Sequence, residues 1–350
     1  PRIFVINKLD RENASFERTM QSILERFDRR AVPIQIPLGT EAGFEGVIDL
    51  VTMKSHRYAK DASGQATTGD VPAEFLDMAK EYRAKLVEMV AESGDGLMEI
   101  FFESGEIPHD RMVAGLHKAF LERKIFPVVL ASAIKAIGMR SILDAAVDLM
   151  PSSAERGPRA GIVPGSEEAD SRRPAADAPA SAFVFKTIAD PYAGRLSIFR
   201  VVSGTLRGDS TLLNVGRGTS ERLGTVNLLQ GKQLIAVAEI HAGDLGVVAK
   251  LKETRTSDTL ADPARPIQYA PIAFPEPAIS FAIEPKAKGD EDKISTALAR
   301  LMEEDPVLRV NRDSRTHEML VSGNGQVHVE VAIAKMKRKF GVEAVLKQPK

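Results

Sequence analysis

Four consecutive apolar residues, Ile3, Phe4, Val5 and Ile6, end abruptly in Asn7-Lys8-Leu9-Asp10. An unbroken apolar run of this length predicts a strand buried on both faces, as in a parallel sheet covered by helices. Asn13-Ala14-Ser15 then supplies helix-starting residues, and Phe16, Met20, Ile23 and Phe27 recur at the helical period. A buried strand feeding a helix commits the start of the chain to α/β architecture. A second such run, Phe126-Pro127-Val128-Val129-Leu130, closes in the small residues Ala131-Ser132-Ala133. A helical pattern, SILDAAVDLM, follows and stops at Pro151.

Between these strands the texture changes. Short strand-like pieces, PIQIPLG, FEGVIDLV and KSHRYAK, are broken by Gly and Pro. A helix with Phe75, Ala79, Tyr82, Leu86 and Met89 on one face follows Pro72, and shorter helices fill roughly 96–123. The expectation is one domain over 1–151, with an inserted subdomain over about 33–123. Residues 152–180, rich in Pro, Ala, Ser and charge without apolar periodicity, predict a linker. Over 181–265, closely spaced strands separated by Gly-containing turns predict a small β-barrel or sandwich. Over 276–350 the order β-α-β-β-α-β predicts a ferredoxin-like domain. Its helices carry the stripes Ile294, Leu298, Leu301, Met302 and Val329, Ile333, Met336, Phe340. The fold class is multidomain: α/β, then all-β, then α+β.

Composition excludes several chemistries. The chain of 350 residues has no Cys, so disulfides, thiolate metal sites and a Cys nucleophile are ruled out. A formal net charge of -1 gives no global attraction to nucleic acid, leaving only local patches. No apolar run approaches the ~20 residues needed to span a bilayer. The six His residues are dispersed without the spacing of a helix-borne metal pair, so no metal site is expected. No Gly-x-Ser-x-Gly elbow supports a hydrolase triad.

The polar quartet after the first strand has a specific chemical reading. Guanine presents two adjacent donors on one edge, and a carboxylate such as Asp10 accepts both. Adenine lacks the 2-amino group and would leave the carboxylate unpaired, a discrimination worth roughly 10⁴ or more. The Lys8 stem can cover the base face, and the Asn7 amide can both meet the base and tie neighbouring loops. Small residues at Ser132 and Ala133 let a backbone N–H approach a base oxygen. Loops at the carboxyl ends of strands in open α/β sheets are where such ligands bind. Asn-Lys-x-Asp alone is short enough to arise by chance; its place after a buried strand, with a second loop of small residues, favours guanine.

These motifs and several longer strings carry a family resemblance. RIFVINKLD with ASAIKAIGMRSILDAAVDLMPS resembles the fourth and fifth guanine-recognition motifs of the translational GTPases. DPYAGRLSIFRVVSGTL with GDLGVVAKLKETRTSDTL resembles the second domain of elongation factor G. PEPAISFAIEPKAKGDEDKISTALARLMEEDP with VSGNGQVHVEVAIAKMKRKFGVEA resembles its third domain. The insertion PLGTEAGFEGVIDLVTMKSHRY is similar to that family's extra subdomain. Nearly the whole chain is covered, 152–180 excepted.

The resemblance implies GTP or GDP with Mg2+ as ligand, base reading by Asn7, Lys8, Asp10, Ser132 and Ala133, and a ribosomal partner met through RNA and a small-subunit protein. It also implies a cytoplasmic monomer in which GTP hydrolysis drives movement of tRNA and mRNA. Related alternatives are a ribosomal protection protein of the tetracycline-resistance type and a ribosome-binding module without hydrolysis. Candidate ribosome contacts are Arg195, Arg200, Lys250, Lys252, His328, Lys335, Lys337 and Arg338. The last three lie in a basic cluster at a helix end, where dipole complementation alone also explains them. Gln326, Val327 and Leu9 depart from residues common in the family and point to a paralogue. No Gly-x-x-x-x-Gly-Lys-Ser/Thr occurs, so the sequence contains no phosphate cradle or Mg2+ hydroxyl of that kind. With Pro1 in place of an initiator Met, the expectation is an internal fragment that selects the base without hydrolysing GTP, its Mg2+ ligands lying elsewhere.

Overall fold

The computed structural model describes residues 1–94, 96–190, 192–287 and 289–350. Pro191 and Lys288, inside two of the strings that carry the resemblance, lie outside the described residues, as does Asp95. The chain forms two units, Pro1–Pro151 and Ser152–Lys350.

In the first unit the elements run β1 (Phe4–Ile6), α1 (Phe16–Arg26), β2 (Ala31–Pro33), β3 (Gln35–Leu38), β4 (Gly46–Asp49), β5 (Lys54–Tyr58), β6 (Ala66–Asp70), α2 (Ala73–Ser93), α3 (Leu97–Ser104), α4 (His109–Leu121), β7 (Phe126–Leu130) and α5 (Met139–Leu149). Strands β1, β7 and β2 form a parallel sheet in that order, with Phe4 opposite Val128, Ile6 opposite Leu130 and Ala31 opposite Phe126. The central strand β7 is buried at all five positions, as a continuous apolar run requires. Strand β1 differs from the expectation of full burial: it lies at the sheet edge and Val5 is 48% exposed. Strands β3 to β6 form a separate antiparallel meander.

Helix α1 starts where Ser15 Oγ accepts the Arg18 N–H at 3.2 Å, leaving Phe16, Met20 and Ile23 buried. Phe27 does not join that stripe. It falls at the helix end, is largely exposed and packs its ring on Phe4 at 5.6 Å.

The second unit begins with a departure from expectation. Residues 152–180 carry a hairpin, β8 (Arg159–Ile162) and β9 (Ala169–Arg172), rather than an unstructured linker. Ile162 bridges to Gln268 through both backbone groups, and the buried Arg172 guanidinium donates to the Arg265 carbonyl at 2.9 Å. Backbone pairing and a charged anchor hold this hairpin, and neither leaves an apolar period in the sequence.

Next come β10 (Ser181–Asp190), β11 (Gly194–Ser203), β12 (Thr205–Arg207), β13 (Thr211–Asn214), β14 (Thr219–Arg222), β15 (Asn227–Gln230), β16 (Gln233–Ala236), β17 (Glu239–His241), β18 (Leu245–Ala249) and β19 (Thr259–Ala261). Eight of them form one sheet in the order β14-β13-β19-β10-β11-β18-β15-β16, and β12 pairs with β17. The core between them is Val184, Phe199, Val201, Leu223, Val226 and neighbours, with Leu206 and Ile240 contributed by the β12–β17 ribbon. The chain ends with β20 (Ile279–Pro285), α6 (Glu291–Glu304), β21 (Arg309–Arg312), β22 (Met319–Gly323), α7 (Gln326–Phe340) and β23 (Ala344–Lys347). Their sheet order β21-β22-β20-β23 puts the first strand between the third and fourth, the split β-α-β-β-α-β arrangement. Ile294, Leu298, Leu301, Val329 and Met336 fill the space beneath it.

Candidate nucleotide-base site

Parallel pairing of β1 with β7 brings the loops after both strands to one edge of the sheet. The ladder continues past the strands: Ala131 N–H donates to the Ile6 carbonyl at 2.9 Å, and Leu9 N–H reaches the Ala131 carbonyl at 3.4 Å. The two loops are then joined by a side chain. Asn7 Oδ1 accepts from the Ala133 N–H at 3.0 Å and from the Lys8 N–H at 2.8 Å. Asn7 therefore acts as a tie between the loops, with its Nδ2 donating in none of the described hydrogen bonds. The Ala133 N–H, expected to approach a base oxygen, is engaged by this tie.

Lys8 sits at φ 66°, a left-handed conformation that non-glycine residues rarely adopt. The kink follows the end of the strand directly and leaves Lys8 exposed. The Asp10 side chain is only 8% exposed, and Lys135 Nζ lies 3.5 Å from its Oδ2. The Ser132 hydroxyl beside Asp10 is the largest influence holding its carboxyl below the ordinary aspartate value. Burial opposes it, and the Asp10 backbone N–H and the Lys135 charge assist. Yet Ser132 Oγ makes no bond within strict hydrogen-bond geometry and is buried without a partner. A buried ionised carboxylate beside an unsatisfied hydroxyl forms an edge with spare hydrogen-bonding capacity, which fits a ligand that brings donors.

The second loop is closed on itself. Ser132 and Ile137 exchange both backbone hydrogen bonds at 3.0 Å, and Gly138 turns the chain into α5 at φ 77°. A Cβ on Gly138 would lie 2.1 Å from the Leu130 carbonyl oxygen, so only glycine fits. Lys135 and Gly138 were not singled out from the sequence. They lie in an irregular loop with no period to mark them, and only the fold shows what they approach.

The basic residues separate into two groups. Arg195 donates to the Thr254 carbonyl at 3.2 Å and pairs with Glu303 at 3.3 Å. His328 accepts the Asn324 N–H at Nδ1 (3.0 Å), so its Nε2 carries the proton donated to Asp305 Oδ2 at 2.8 Å. Lys335 faces Glu304 at 3.4 Å, and Arg200 donates to Ser153 Oγ at 2.8 Å. Arg195, His328 and Lys335 are thus committed to carboxylate or backbone partners, whereas Arg200 has a neutral hydroxyl partner and, among the described contacts, keeps its charge uncompensated. Lys250, Lys252 and Arg338 are exposed with no side-chain bond among the described contacts, and the exposed Lys337 pairs with Glu343 at 2.8 Å.

Among the described residues no group of three or more His, Asp or Glu is placed to hold a metal ion. None of the described helices is long and apolar enough to cross a membrane.

Comparison with known proteins agrees across the chain. Residues 1–152 match the elongation factor Tu GTP binding domain, 179–262 match elongation factor G domain 2, and 274–348 match elongation factor G domain III. A crystal structure of a protein from Thermus thermophilus aligns over 100% of this chain with a TM-score of 0.83 at 27% identity. The chain spans 49% of that protein's length. A GTP-binding domain followed by elongation factor G domains 2 and III, in this order, is the domain pattern of the translational GTPases. The chain belongs to the elongation factor G family.

Proposed function

We propose that the loops of Asn7-Lys8-Leu9-Asp10 and Ser132-Ala133 select guanine in a ribosome-dependent GTPase that promotes movement of tRNA and mRNA. The observation that carries the reading is the Asn7 bridge to Ala133, which locks the two loops together beside the nearly buried Asp10 carboxylate. Asp10 accepts the two donors of the guanine edge, Lys8 covers the base face, and Asn7 Nδ2 supplies a donor at the rim. The base-selecting half of the chemistry resides in this chain. Its sequence holds no Gly-x-x-x-x-Gly-Lys-Ser/Thr, so the chain alone binds weakly and does not hydrolyse GTP. The exposed, uncommitted cations Lys250, Lys252 and Arg338 are the residues offered to ribosomal RNA phosphates, with Lys337 beside Arg338 on α7.

Saturation-transfer NMR on the chain with GMP and AMP tests the base assignment, because it detects weak binding. GMP signals are expected and AMP signals are not. Asp10→Asn replaces an acceptor pair with one acceptor and one donor, which suits xanthine, whose 2-position carries an oxygen. The variant should lose GMP by about tenfold or more and gain XMP. Equal GMP and AMP binding in the unaltered chain would remove the assignment.

A further inference from the structure

Within the second unit, four arginines line a cavity of about 330 Å³ whose wall contains no carboxylate. Arg156 comes from the turn before β8, Arg159 and Arg172 from the β8–β9 hairpin, and Arg200 from β11. Guanidinium groups stay protonated throughout the physiological range, so each brings a full charge.

Among the described contacts, only one of the four has a carboxylate partner. Arg172, with a side chain 5% exposed, pairs with Asp170 at 2.6 Å, and its buried Nε finds no partner. Arg159 lies over the rings of Phe183 at 4.6 Å and Tyr269 at 4.8 Å, with no carboxylate among its described contacts. Among the described contacts Arg200 has the neutral Ser153 hydroxyl, at 2.8 Å, and no carboxylate. Arg156 is exposed and has no described partner. Four guanidinium groups against the one carboxylate of Asp170 leave three uncompensated positive charges around one cavity. Burial pushes the Arg159 guanidinium down; Tyr269 opposes this, and the Arg200 charge adds to it. Packing alone does not call for this arrangement, since apolar or neutral side chains would fill the same space without repulsion.

The lining also includes a glycine at a close approach. Gly243 sits at φ 99°, and a Cβ there would lie 2.5 Å from Ser153 Oγ. Val201 and Val202 complete an apolar side to the wall.

We propose that this cavity binds a phosphate group carried on a small organic molecule. Arginine forks match phosphate oxygens in pairs, and the volume lies in the range of small-ligand sites. Arg200 and Arg156 grip the phosphate, Arg159 supplies the uncompensated charge behind it, and the valines receive the rest of the ligand. The site belongs to the second unit and does not depend on guanine recognition in the first.

The test is a titration of the full chain with inorganic pyrophosphate, followed by arginine Nε–Hε NMR signals. A parallel titration uses a ten-nucleotide single-stranded RNA. Saturable shifts at Arg159 and Arg200 with pyrophosphate are expected. R156Q/R200Q should weaken pyrophosphate binding, read at the Arg159 signal, by about tenfold or more while retaining the unfolding midpoint. R207Q, which removes an exposed cation paired with Glu239 outside the cavity, should leave that binding unchanged. Absence of saturable shifts with pyrophosphate overturns the proposal. So does response to RNA alone, which would make the arginines a surface contact for a polymer backbone. An R207Q loss as large as that of R156Q/R200Q would likewise overturn it, by showing general charge attraction.

Discussion

The geometry of the base site rests on two left-handed backbone conformations, one unfavourable for its residue and one open to glycine. Lys8 holds a left-handed backbone next to the strand end, and Gly138 holds another at the end of the facing loop. Gly138→Ala would add left-handed strain of about 1–3 kcal/mol, besides a contact 2.1 Å from the Leu130 carbonyl that has to be relieved by moving backbone. A lower denaturation midpoint for the first unit is expected by urea titration. Loss of the backbone exchange between Ser132 and Ile137 should appear as faster amide hydrogen exchange at both. His328 shows the opposite outcome at the same level of detail. The sequence offered it as a candidate ribosome contact. Gly323 leaves room for its ring, and both ring nitrogens are committed to Asn324 and Asp305. A ring with both nitrogens paired inside the protein is poorly placed to meet a partner.

Helices and strands were legible in proportion to their apolar period. The five buried residues of β7, and the stripes Ile294–Leu298–Leu301 on α6 and Val329–Met336 on α7, stand in the sequence as they pack in the structure. The β8–β9 hairpin was not legible, because Arg172 and backbone ladders hold it instead of an apolar face. The basic end of α7 was legible as a charge cluster but not as to partner. Lys337 there shares Glu343 with Lys286, at 2.8 and 2.7 Å. Hydrogen bonds and charge from Lys286, then Lys337, bring the Glu343 carboxyl down to about 2. A depressed carboxylate contributes stability above its ordinary range, which is lost as pH falls from about 4.5 toward about 2. NMR titration of the Glu343 carboxyl carbon should give a midpoint near 2 at low salt. Because the pair is solvent-exposed, molar salt should return it toward the ordinary value.

In the whole chain, the first unit keeps its own core, and the second holds several joined by polar contacts. Glu304, at the end of α6 and 6% exposed, is the clearest joint. It pairs with Lys339 and Lys335 of α7 and accepts the Ala189 N–H of β10 at 3.2 Å. Burial pushes its carboxyl up, but Lys339, the Ala189 N–H and Lys335 more than offset this, so it is held below the ordinary glutamate value. Its contribution is therefore present above the ordinary carboxylate range and lost as pH falls through the lowered value. Glu304→Gln strips the carboxylate from two lysines and should cost about 3 kcal/mol near neutral pH. The difference from the unaltered chain should shrink in acid. Urea unfolding at pH 7 and at pH 3 checks both expectations, and an equal difference at the two pH values would contradict the assignment.

Residue order alone was enough for the α/β opening, the quartet after the first strand and the two amphipathic helices near the end, because apolar spacing and short polar motifs are local properties. Packing in three dimensions decided the rest. It set Val5 at an exposed edge and spent the Ala133 N–H on Asn7. It placed Lys135 against Asp10 and gathered Arg156, Arg159, Arg172 and Arg200 around one cavity. Each of these joins residues remote in sequence or set in loops without a period. Their energies come from distance, burial and charge, which no local pattern records.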